Sequence, residues 1–159
     1  MKLLIGAIGK MRGASESALF KDYCDRTAVM GRGIGVSGVH LKEREAPKSL
    51  SGPTLTQREG SLLLAAAPDN AEIIALDERG ENISSKKLAA YLDALRKNRI
   101  DAAFLIGGAG GHDEAVRQRA GKIISFGAAT WPHILVRVML AEQLYRAVTI
   151  LTGHPYHRA

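Results

Sequence analysis

Three short runs of this chain are apolar almost throughout: KLLIGAIG at the N-terminus, EIIALD from Glu72 and DAAFLI from Asp101. A strand with no polar face must be covered on both sides, which is the condition of a parallel sheet sandwiched between helices. Helical patterns fall between these runs. Residues 15–29 bring Leu19, Phe20, Tyr23 and Ala28 near one face, and SSKKLAAYLDALRKN aligns Leu88, Tyr91, Leu92 and Leu95 behind a cap at Ser84 or Ser85. The alternation predicts an α/β fold, a mostly parallel sheet of about five strands flanked by helices. GIGVSGVHL, with Ile34, Val36, Val39 and Leu41, reads as the second strand, and IISF as the last. EIIALD is expected to end at Glu78-Arg79-Gly80. Pro53 and the spacings Thr54/Gln57 and Thr56/Glu59 announce a helix running to Pro68, and a shorter one covers about 113–121. The longest helix, PHILVRVMLAEQLYRAVTILT, has proline in its first turn. Its apolar positions (Ile134, Leu135, Val138, Ala141, Leu144, Tyr145, Val148) exceed one stripe, so part of it is expected to bury against a second subunit.

At 159 residues the chain is expected to form a single domain, 1–159. No apolar run reaches the ~18 residues of a membrane span, and the N-terminal run reads as a buried strand and not a signal peptide. The lone Cys24 excludes an intrachain disulfide, points to a reducing, cytoplasmic location, and reads as core packing. The net charge of +6 leans towards a polyanionic partner. From Arg117 onward Arg117, Arg119, Lys122, Arg137, Arg146 and Arg158 face only Glu142, which fits a solvated face or a phosphate-docking surface equally well.

The run DAAFLI leads straight into Gly107-Gly108-Ala109-Gly110-Gly111. Ligands of open α/β sheets bind beyond the carboxyl ends of the strands, and glycines there let the backbone approach them. This is not a phosphate loop, because no Gly-Lys-Ser/Thr follows. Gly33 to Gly38 matches G-x-G-x-x-G, yet it lies inside a strand pattern with no helix after it, so the match reads as chance. FGAATWPH is a second strand-end loop, in which Trp131 either walls an adenine or fills core, and Leu76-Asp77 is a third. The three are expected to converge on one pocket. His154-x-x-His157 is interrupted by Pro155 and has no neighbouring Cys or carboxylate, so no metal site is expected; His40 and His112 read as surface.

FLIGG at a strand end, S-x-x-x-x-T-x-P-H from Ser125, LVRVMLAEQLYRA and the closing HPYHR together resemble the RlmH family, SPOUT-superfamily methyltransferases of large-subunit ribosomal RNA. KLLIGAIGK and LDERG fit as well, so the resemblance spans essentially the whole chain. It implies a fold whose C-terminal part, about 103–159, threads a trefoil knot, against the general rule of unknotted chains. It implies S-adenosylmethionine as cofactor, held by Leu76, Gly108 and Gly127, Ala128, Ala129, Thr130, Trp131 and Pro132. It further implies a homodimer that methylates N3 of a pseudouridine in 23S rRNA of the assembled 70S ribosome.

Methylation at a ring nitrogen requires that the N3 proton leave. Histidine, with an unperturbed pKa near 6.5, suits that task. The tail offers His157 as base, with Tyr156 and His154 as further catalytic candidates, and Arg158 and Arg137 as RNA contacts. The expectation is a tail that covers the cofactor's methyl group and clamps the substrate. Two other readings stay open: a non-catalytic ribosome-binding module, and a small-molecule methyltransferase.

Overall fold

The computed structural model describes residues 1–157, apart from the side chain of Ala14, and Arg158 lies outside them. Its strands are β1 (Leu3–Ile8), β2 (Val39–Arg44), β3 (Glu72–Asn82), β4 (Ala102–Ile106) and β5 (Lys122–Ser125), all parallel in the order β2-β1-β4-β3-β5. The α-helices are α1 (Ala14–Gly31), α2 (Gly52–Ala66), α3 (Ser85–Lys97), α4 (Glu114–Arg119) and α5 (His133–Thr152).

Strand alternation divides the core in two. Leu3, Ile5 and Ala7 of β1, Ile74 of β3 and Phe104 of β4 pack with Leu88 and Leu92 of α3 and Leu140, Leu144 and Val148 of α5. The intervening residues Leu4, Ile73, Ala75, Ala103 and Leu105 face Leu63 of α2 and Val116 of α4. Both faces are covered, as the unbroken apolar runs require. The broad apolar surface of α5 is largely used inside the chain: it packs against both α1 and α3, and Leu140, Ala141, Leu144 and Ala147 are fully buried. Leu135 and, on α1, Leu19 are left exposed. No helix among the described residues is long and apolar enough to cross a membrane.

Several boundaries differ from the expectations. Residues 32–34 form a 3-10 turn that Gly35 closes in the left-handed region (φ 74°), so β2 begins only at Val39 while Val36 plugs the core. The G-x-G-x-x-G match therefore spans a turn that leads into a strand. Helix α2 starts after Ser51, with Pro53 in its first turn; Thr56 is already helical and its hydroxyl donates back to the Gly52 carbonyl. The expected cap on α3 is present, Ser84 accepting from the Lys87 amide. Pro132 is the N-cap of α5 and stands just outside its first turn.

The largest difference is β3, which does not stop at Gly80. Leu76 and Glu81 both pair with Ile124, so residues 77–80 bulge out and the strand resumes through Asn82. Gly80 makes this resumption possible: a Cβ there would come within 2.5 Å of the Ile124 carbonyl carbon.

Candidate active site

Beyond the carboxyl ends of β3, β4 and β5 lies a cleft of about 290 Å³. β3 supplies Leu76 and, from its bulge, Asp77, Glu78 and Arg79; the turn after β4 supplies Gly107 to Gly111, and the end of β5 with the loop after it supplies Ser125 to Gly127 and Ala129 to Trp131. The three strand-end loops thus meet, as their position at strand termini implied. Ala128 and Pro132 belong to the same loop but do not line the cleft, whereas Arg117, His133 and Val136 do and were not among the expected cofactor contacts, although His133 closes the FGAATWPH loop. Trp131 is 40 % exposed at the cleft, which removes it from the core.

Each wall is held by identifiable contacts. Gly108 and Gly111 close the glycine turn, the Gly111 amide donating to the Gly108 carbonyl at 3.0 Å. A Cβ on Gly107 would sit 2.7 Å from the Gly111 carbonyl oxygen, so the turn is as tight as glycine permits. After β5, the Gly127 amide donates to Ser125 Oγ at 3.1 Å. The bulge is pinned by Asp77, which accepts from the Arg79 amide at 3.0 Å and pairs with Arg117 of α4 at 2.9 Å. Burial alone would raise the Asp77 pKa; the Arg79 amide and the Arg117 guanidinium outweigh it and hold the carboxyl below its usual range.

Glu59 of α2 backs the glycine turn. It is 7 % exposed, and a Cβ on Gly108 would come within 2.5 Å of its Oε2. Burial pushes its pKa up, so the folded protein takes up this proton more readily than the unfolded chain. That contribution to stability is complete at low pH and is lost as pH rises from the ordinary glutamate range through the raised folded value. Glu59→Gln is therefore expected to raise the urea midpoint at pH 7.5, with the gain closing at pH 4; equal midpoints at pH 7.5 would contradict it.

The tail residues lie elsewhere. Tyr156 folds back on α5, its hydroxyl donating to Glu142 at 3.0 Å, its ring edge-on to Tyr145 at 4.7 Å and beneath Arg146 at 4.8 Å. His154 is exposed, its Nδ1 accepting from the Tyr156 amide at 3.2 Å. His157 lines a separate, larger hollow of about 820 Å³ with Leu19, Tyr23, Met139 and Glu142; Phe126 stands between that hollow and the cleft and walls both. Both ring nitrogens of His157 are buried without a partner among the described residues. Within one chain His154, Tyr156 and His157 therefore do not line the cleft that the expected clamp would cover. Burial, with the neighbouring Tyr23 hydroxyl and the hydrogen-bonded Glu142 carboxylate, raises the Tyr156 pKa, so this phenol keeps its proton near neutrality.

Two further expectations, on Arg137 and His112, are corrected. Arg137 is 2 % exposed and turned inward, binding Glu43 at 2.9 Å and donating to the carbonyls of Ile8 and Gly9 at 2.6 and 3.0 Å, so it has no free edge for RNA phosphate. Of the basic C-terminal third, for which a solvated face and a phosphate-docking surface were equally open, Arg117, Lys122 and Arg146 pair, like Arg137, with acids: Asp77, Glu81 and Glu142. His112 is buried, not on the surface as expected. Cys24 packs against the core, and burial pushes its thiol up to about 12, far from a nucleophilic thiolate.

Residues 1–157 match the family model described as "Predicted SPOUT methyltransferase". A ribosomal RNA large subunit methyltransferase H from Paramagnetospirillum magneticum is 50% identical over 159 residues, covering 99% of each chain. Its counterpart from Paracoccus denitrificans is 47% identical over 158 residues, again covering 99% of each. Among solved structures, a probable methylase family protein from Haemophilus influenzae superposes with a TM-score of 0.54 at 9% identity, over 99% of this chain and 70% of that one; this likeness concerns the fold alone. A strand-end cleft of glycine and small-residue loops, in a chain matched along nearly its whole length, makes this protein a member of the SPOUT methyltransferases and, within them, of the ribosomal RNA large subunit methyltransferase H family.

Proposed function

We propose that this protein transfers a methyl group from S-adenosylmethionine to N3 of a pseudouridine in 23S rRNA of the assembled 70S ribosome, acting in the cytoplasm as a homodimer. The observation that carries the reading is the convergence of Leu76, the glycine turn and the Ser125–Trp131 loop on one cleft in a chain half identical to a relative of that name.

The residues present suit such a cofactor. Leu76, Ile106, Ile124 and Val136 give apolar walls for an adenine, and the glycine-rich loops present backbone donors and acceptors with no side chain in the way. Leu76, Gly108, Gly127, Ala129, Thr130 and Trp131 would hold it, with Ala128 and Pro132 shaping their loop. When bound, S-adenosylmethionine supplies a methyl on a sulfonium, ready for attack by a nitrogen lone pair. Trefoil threading of about 103–159 is supported by the insertion of β4 between β1 and β3 and by α5 packing against both α1 and α3. The exposed Leu19 beside the larger hollow supports a subunit contact there.

The chain's own part is to orient the target base and to accept its N3 proton. His157 is the base in this reading, brought to the methyl group across the subunit contact because within one chain it lines the neighbouring hollow and not the cleft. Its ring nitrogens have no partner among the described residues, whereas Tyr156 holds its proton and serves as a hydrogen-bond donor. His154, through its bond to the Tyr156 amide, sets the bend of the tail. Arg158 is assigned to a phosphate or a uracil carbonyl.

Calorimetry with S-adenosylmethionine, followed by single-turnover transfer to ribosomes lacking the modification, tests this directly. Binding and one methyl on large-subunit RNA are expected, with His157→Ala slowing transfer about 10²-fold. Binding without transfer to RNA points to a small-molecule substrate, and no binding to a non-catalytic module. Full rates in both His157→Ala and Tyr156→Phe remove the tail from the chemistry.

A further inference from the structure

His112 has no part in the chemistry above, yet it is 3 % exposed. Its Nε2 lies 3.1 Å from the carbonyl oxygen of Leu105, which can only accept, so Nε2 carries the proton. The Leu76 backbone faces the same ring, but Nδ1 is buried with no hydrogen bond among the described residues. One unpaired buried nitrogen costs at least what one hydrogen bond returns, so this imidazole adds little to the fold that a leucine would not.

Its location gives it another use. Ala75 pairs with Leu105 and Leu76 with Ile106, the last paired positions of β3 and β4. Beyond them β3 turns into its bulge and β4 into the glycine turn, and the cleft opens between. Gly111, at φ 74°, folds the chain back so that His112 returns beneath this fork, and Asp113 then caps α4 by accepting from the Val116 amide at 3.1 Å. The charged groups facing the ring are Asp77 on β3 and Arg117 on α4, already paired with each other. Burial is the largest influence on the imidazole and lowers its pKa, keeping it neutral at pH 7.

The geometry points to His112 as a positioning residue: by donating from Nε2 to Leu105 it ties the glycine turn to the end of the sheet and fixes the gap between the Leu76 and Gly108 backbones. The inference rests on the reading of the cleft as the S-adenosylmethionine site. His112→Leu fills the space without the donor, and His112→Gln restores a donor near Nε2. His112→Leu is expected to weaken S-adenosylmethionine binding at least tenfold by calorimetry, with KM for ribosomes and the urea midpoint nearly unchanged; His112→Gln recovers most of the affinity. Nitrogen-15 imidazole shifts of the protein without cofactor, at pH 7, are expected to report a neutral ring protonated at Nε2.

Wild-type affinity in His112→Leu overturns the positioning role and leaves the cofactor reading intact. A ring protonated at Nδ1 or on both nitrogens overturns it without reference to cofactor or to the folding of any variant. If the wild-type protein itself binds no S-adenosylmethionine, the cofactor reading fails and this inference with it.

Discussion

Arg137→Ala is expected to cost about 3 kcal/mol of folding stability, because it removes the buried partner of an ion pair whose carboxylate is only half-buried. The guanidinium joins α5 to the ends of β1 and β2 by three bonds at once, to Glu43 and to the Ile8 and Gly9 carbonyls. Glu43 is itself committed, since the Met11 amide donates to the same oxygen at 2.5 Å. Truncating the arginine leaves the half-buried Glu43 carboxylate and two half-buried carbonyls without the partner that joined them. Arg137→Lys does not rescue it, because one ammonium cannot reproduce the planar fork. Arg137→Met combined with Glu43→Gln is expected to recover part of the loss, as the uncompensated charge goes too. Urea denaturation of the single and double variants measures the coupling. A direct RNA-contact role predicts weaker ribosome binding at unchanged stability, and that outcome would contradict the structural account.

Gly107→Ala should have the largest effect on the site. The added methyl would lie 2.7 Å from the Gly111 oxygen and 2.9 Å from its carbonyl carbon, both backbone atoms of the same turn. The turn must open, and Gly108 and His112 move with it. A displacement on the order of 1 Å is enough to lower methyl transfer about 10²-fold. The stability cost is that of local overpacking, about 1–3 kcal/mol. Gly33→Ala is the matched control, because nothing lies within 4 Å of a Cβ there. Calorimetry with S-adenosylmethionine and a transfer assay on both variants separate the cases. Full activity in Gly107→Ala would show that the turn is a linker and not a wall of the site.

What could be read from the sequence follows from how each feature is encoded. Strands β1 and β4 and the first half of β3 announce themselves because burial on both faces demands uninterrupted apolar residues. The second half of β3 is polar, and it pairs with β5 only because Gly80 lets two backbones meet; a period-two pattern carries no trace of that. Ile34 and Val36 mimic strand alternation, whereas the chain there turns through Gly35 and uses only Val36 as a plug. The cleft was legible because small residues gathered at strand ends mark backbone exposed to a ligand.

The charges and the tail were harder for one shared reason. Counting acids near the C-terminal arginines missed Glu43, Asp77 and Glu81, which reach them from other strands. His112 follows a glycine run and looks solvated, but Gly111 turns it inward. Tyr156 docks on Glu142 and Tyr145, a contact that only the orientation of α5 creates. Local spacing reports local structure; long-range partners appear only once the sheet has formed.

The central claim is that this cleft modifies large-subunit ribosomal RNA, and nucleoside mass spectrometry of 23S rRNA from a strain lacking the gene tests it most directly. The account predicts that one N3-methylated pseudouridine is lost, that the wild-type gene restores it, and that Gly33→Ala restores it while Gly107→Ala does so poorly or not at all. An unchanged methylation pattern in the deletion strain would contradict it.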